Sequence, residues 1–80
     1  MKVSIQYYAS FREGRGLGEE VLELQDDLSA ADFFDSLRAE HQFDVKRSKC
    51  RVAINDAFAP WESILKDGDQ VVFIPPVGGG

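Results

Sequence analysis

The chain has 80 residues, 44% of them hydrophobic, which suffices for one small domain with a single core and leaves no room for a separate catalytic domain. A net charge of −5 argues against nucleic acid as a partner, because phosphate binding needs a concentrated cationic surface. Cys50 is the only cysteine, which rules out an internal disulfide and fits a reducing compartment. With no signal-peptide pattern and no apolar run near ~18 residues, the expected location is cytoplasmic and away from the membrane.

In chain order, Val3, Ile5 and Tyr7 alternate with Lys2, Ser4 and Gln6, the pattern of a half-buried strand. Gly14, Gly16 and Gly18 loosen the backbone, and Glu20, Leu22 and Leu24 alternate again, so the opening segments read as a hairpin with a long glycine-rich connection. The glycines have the wrong spacing for a dinucleotide fingerprint, and a strand follows them rather than a helix. Ser29 and Asp32 resemble a capping-box start, and Ala30, Phe33, Phe34 and Leu37 recur at helical spacing, which predicts an amphipathic helix over Ala30 to His41. His41, the single histidine, sits where it can cap the last carbonyls; no second histidine or cysteine pair accompanies it, so no metal site is expected.

Val52 and Ile54 mark a further strand that ends at an Asn55, Asp56 turn, and Ala57 to Ala59 form a short return strand stopped by Pro60. Trp61, Ile64 and Leu65 are expected to fold back over the core, Asp67, Gly68 and Asp69 to turn, and Gln70 to Ile74 to form the last strand. The order β, β, α, β, short β, β fits an α+β β-grasp arrangement, a mixed sheet with one main helix packed across it and the last strand parallel to the first at its centre. Charge is uneven: seven acids and no Lys or Arg lie between Glu19 and Asp35, whereas Lys46, Arg47, Lys49 and Arg51 form a basic run.

A domain over residues 1–74 is thus followed by a tail over residues 75–80. Pro75 and Pro76 fix φ near about −65° and lack N–H donors, giving a stiff neck that ends sheet pairing. Val77, Gly78, Gly79 and Gly80 complete it, and six residues reach about 20 Å beyond the last strand, far enough to enter a buried site on another protein. Ordering each glycine costs on the order of 1–2 kcal/mol, so a working tail needs a docking surface on the folded body.

The segment Asp67, Gly68, Asp69, Val71, Phe73, Pro75, Pro76, Val77, Gly78, Gly79, together with Tyr7, Tyr8, Ala9, Ser10, Phe11, Arg12 and Glu13, resembles the small sulfur-carrier subunit of molybdopterin synthase, the MoaD-type family. That resemblance implies a ubiquitin-like β-grasp fold and a carrier that is not a catalyst alone. It implies that an adenylating enzyme activates the Gly80 carboxylate with ATP and Mg²⁺, and that a sulfur-delivery protein converts it to a thiocarboxylate. The large synthase subunit, in a 2+2 heterotetramer, then uses that sulfur on cyclic pyranopterin monophosphate. The family usually ends in two glycines, so the third here is a departure: an extra position, a shifted neck, or an addition to be trimmed.

The resemblance also suggests a docking patch of Tyr8, Phe58 and Ile74 with Arg12 beside it. Strand parity agrees for two of these, since Tyr8 and Ile74 fall opposite to the core-facing positions of their strands. Within the same fold, a sulfur carrier for thiamin thiazole synthesis also ends in paired glycines, though the double-proline neck favours the molybdopterin family. A ubiquitin-like modifier conjugated through Gly80, or a binding module with an incidental glycine end, are the other readings. Cys50 reads as structural because no general base accompanies it.

Overall fold

Val3, Ile5 and Tyr7 start the core: all three are almost fully buried on one side of β1 (Lys2–Gln6) and of the residue that follows it. The computed structural model describes residues 1–16 and 18–76. After β1 come α1 (Ala9–Arg15), β2 (Glu19–Glu23), α2 (Ala30–His41), β3 (Arg51–Ile54), β4 (Ala57–Ala59) and β5 (Gln70–Ile74), with a 3-10 turn at Arg47–Lys49. The five strands form one sheet in the order β2-β1-β5-β3-β4. β5 runs parallel to β1 and antiparallel to β3, so the last strand lies at the centre with a neighbour on each side.

α2 covers one face of this sheet. Ala30, Phe33, Phe34 and Leu37 are its buried residues, and the Ser29 hydroxyl accepts the Asp32 N–H at 3.1 Å as the N-cap. Two further N–H groups of the first turn donate to the loop that returns from β4, Ala30 to Ser63 O and Ala31 to Trp61 O, both at 2.9 Å. Phe73 of β5 collects the aromatic core, meeting Phe34 edge-on at 5.0 Å and Phe33 at 5.5 Å between centroids.

The connection between β1 and β2 is a helix, not the open glycine loop that residues 14 to 18 suggest. α1 has poor intrinsic propensity and no side-chain N-cap bond, and burial holds it: Phe11 is fully enclosed and packs edge-on against Phe34 and Phe43. Gly16 ends α1 in the left-handed region at φ 75°, donating its N–H to Arg12 O, so this glycine is a helix stop. Two smaller expectations also change. His41 packs against Phe43 while Gln42, at φ 55°, supplies the N–H to Arg38 O that closes α2. Ile64 is about half exposed and bridges to Ser29, leaving Leu65 and Trp61 to pack on the core.

The Asp67, Gly68, Asp69 turn ties the sheet together through its carboxylates. Asp67 accepts the Lys2 N–H at 2.7 Å, while Asp69 accepts the Lys66 N–H at 2.8 Å and the Asn55 side-chain amide at 2.9 Å. Gly68 sits at φ 87° and donates to Lys2 O, a conformation that penalises any residue with a Cβ. One turn thereby fixes the start of β1, the start of β5 and the end of β3.

Candidate functional site

Because one helix covers only one face, the other face of the sheet stays open, and its side chains are set by strand register. Ala53 lies opposite Phe58 across β3 and β4, and opposite Val72 across β3 and β5. The small Ala53 side chain therefore lies between larger neighbours and forms the floor of a groove. Tyr8, Phe58 and Ile74 wall this groove, whose volume is ≈ 290 Å³. Tyr8 is 47% exposed and Phe58 58% exposed, amounts that set them apart from the enclosed aromatics on the opposite face.

Arg12 lies outside the groove, in an adjoining hollow that shares Tyr8 and Gln6 with it. Its guanidinium rests beside Gly18, where an added Cβ would stand 3.7 Å from Arg12 Nε. The expected residues Tyr8, Phe58 and Ile74 thus share one concavity, with Arg12 next to it. Ala53 and Val72, which line the groove together with Gln6 and Asp56, are absent from the sequence reading although their parity with Arg51 and Ile74 places them on the same face.

β5 ends at Ile74 beside this groove, and Pro75 and Pro76 lie outside any strand. The neck therefore leaves from the centre of the sheet at the groove's edge. Val77, Gly78, Gly79 and Gly80 lie outside the described residues.

A second cluster, unforeseen in the sequence, braces α1. Glu20 of β2 accepts the Tyr7 hydroxyl at 2.6 Å and a paired contact from Arg15, Nε at 3.0 Å and Nη2 at 2.9 Å. Burial pushes the Tyr7 hydroxyl pKa well above its ordinary value, and the bond to Glu20 adds to the rise. For Glu20 burial opposes ionisation, but the hydrogen bonds from Tyr7 and Arg15 outweigh it and hold the carboxyl below its usual range. The signal is a tyrosine, an arginine and a glutamate brought together only by the fold.

Cys50 is buried, its thiol directed to Lys46 O at 3.4 Å, and burial raises its pKa, the opposite of what an activated nucleophile requires. Among the described residues no group of three or more His, Cys, Asp or Glu is placed to hold a metal, and no helix is long and apolar enough to cross a membrane.

A mixed sheet with a central last strand, one helix across its inner face and an apolar groove where that strand ends defines a ubiquitin-like β-grasp protein. The chain belongs to the ThiS family, whose profile matches residues 5–80. It is 35% identical over 83 residues to the molybdopterin synthase sulfur carrier subunit of Chlamydomonas reinhardtii, covering 100% of both chains. The Haloferax volcanii HVO 2177 protein superposes with a TM-score of 0.82 at 26% identity, covering 100% of this chain and 87% of that one. A chain of the Amycolatopsis orientalis BexX/CysO complex superposes with a TM-score of 0.65 at 26% identity, covering 98% and 99%.

Proposed function

We propose that this chain is the sulfur carrier subunit of a molybdopterin synthase, with a globular body over residues 1–74 and a working tail over residues 75–80. The observation that carries this reading is the exit of the central strand β5 into the double-proline neck beside an open apolar groove. A body that docks through the groove can hand its C-terminus to a partner's pocket, and the full-length match to a named sulfur carrier subunit supports sulfur as what that terminus carries.

A carboxylate resists nucleophilic attack because it is anionic and its leaving group is poor. In the proposed sequence the Gly80 carboxylate attacks the α-phosphorus of ATP and releases pyrophosphate, forming an acyl adenylate. A sulfur nucleophile from a delivery protein then attacks the acyl carbon, and AMP leaves. With a persulfide as that nucleophile the product is an acyl disulfide; a thiol attacks the delivery protein's sulfur, forms a mixed disulfide with it and releases the thiocarboxylate, which donates its sulfur to cyclic pyranopterin monophosphate. ATP and Mg²⁺ belong to the adenylating enzyme, which supplies the cationic groups on the phosphates. The pterin belongs to the large subunit, which pairs with the carrier in a 2+2 heterotetramer.

Burying Tyr8, Phe58 and Ile74 contributes roughly 1.5–3 kcal/mol each, comparable in sum to the cost of ordering the terminal glycines. Intact mass measurement after incubation with the adenylating enzyme, ATP, Mg²⁺ and a sulfur donor tests the reading. One oxygen should be replaced by one sulfur at the C-terminus. Heavier lysine-linked conjugates in place of that product would instead identify a protein modifier.

A further inference from the structure

The apolar groove has a charged end. Arg51 opens β3 directly opposite Ile74, the residue from which the neck departs. Its guanidinium carbon lies 3.7 Å from the centroid of the Phe58 ring, a close stacking contact on an exposed aromatic. Arg51 is itself exposed and takes part in no ion pair among the described residues. Stacking holds the planar group flat while its N–H edge remains free, so a carboxylate can be met in paired geometry with less entropy left to lose.

The other end of the groove carries Asp56, just beyond the last residue of β3. Roughly 10 Å of strand separates Arg51 from Ile54, and Asp56 lies two residues past Ile54, so the guanidinium and the carboxylate belong to opposite ends of β3. An incoming carboxylate is repelled at the Asp56 end and attracted at the neck end. The groove therefore has a direction, and that direction points an acidic contact towards the departing tail.

We propose that Arg51 is a specificity-determining residue of this surface, selecting a protein partner that fills the groove with an apolar side chain and sets a carboxylate against its neck end. This inference rests on the docking reading above and adds the charge of the partner to it. The acid anchors the partner beside Pro75, so that the tail enters the partner rather than lying across its surface.

The experiment titrates the full chain with the large synthase subunit from the same organism by calorimetry, at low and at high salt. Arg51→Met keeps the stem over Phe58 and removes the charge; it should weaken binding about tenfold at low salt and flatten the salt dependence. Arg51→Lys, a charge without the planar fork, should fall between Arg51→Met and the parent, and Arg51→Glu should bind more weakly than Arg51→Met. Equal affinity and equal salt dependence for Arg51→Met and the parent, with melting temperatures unchanged, would overturn the proposal. Phe58→Ala separates the two readings: if it weakens binding while Arg51→Met does not, only the charge inference fails. If neither variant changes affinity, or the parent does not bind, the docking reading fails and takes the inference with it.

Discussion

Ala53 is the residue on which the groove depends, since its small side chain leaves the space between Phe58 and Val72 open. Ala53→Leu should fill that space from the solvent side, lowering affinity for the large subunit at least about tenfold, or ~1.4 kcal/mol. The melting temperature should move little, because nothing in the core is displaced; a large drop in melting temperature would contradict the assignment of Ala53 to the open face. Glu20 makes a prediction in pH. Its folded pKa lies below its ordinary 4.5, so near that pH the unfolded chain binds more protons than the folded one. The stability it contributes is present above that ordinary value and lost as pH falls through the lowered one. Glu20→Gln should flatten this acid limb in urea titrations and, by weakening the bonds to Tyr7 and Arg15, cost about 1–3 kcal/mol at neutral pH.

Among the elements, α2 and the strands were legible and α1 was not. The helix over Ala30 to His41 has its cap, apolar spacing and length written locally, and β3, β4 and β5 have period-2 patterns bounded by turn residues. α1 has three glycines in and after it, so its local signal is that of a loop; Phe11, fully buried, forms the helix by finding Phe34 and Phe43, far away in sequence. Phe11→Ala should therefore destabilise by about 3–5 kcal/mol in denaturant unfolding. The Asp67, Gly68, Asp69 turn was also legible as a turn, but the bonds from its carboxylates to Lys2, Lys66 and Asn55 were not. Asp69→Ala should cost about 1 kcal/mol, since the exposed donors it abandons can turn to water.

At the scale of the molecule, body and tail should be separable. Deleting Gly79 and Gly80 should leave the thermal transition unchanged and abolish sulfur transfer; transfer retained by the truncated chain would refute the carrier mechanism. The linear sequence by itself determined the secondary-structure order after residue 18, the buried side of β1 and β5 and the proline neck. Each of these rests on local physics: strand alternation, helical spacing, or the missing donor and fixed φ of proline. Parity also placed Tyr8 and Ile74 on the outer face. The resemblance grouped Phe58 with them; only the tertiary structure decided that the three close over Ala53, that Arg51 stacks on the Phe58 ring beside the exit of β5, and that Glu20 binds Tyr7 and Arg15. Those contacts depend on strand register and on how far a side chain reaches across neighbouring strands, and neither is encoded in the spacing of residues along one segment.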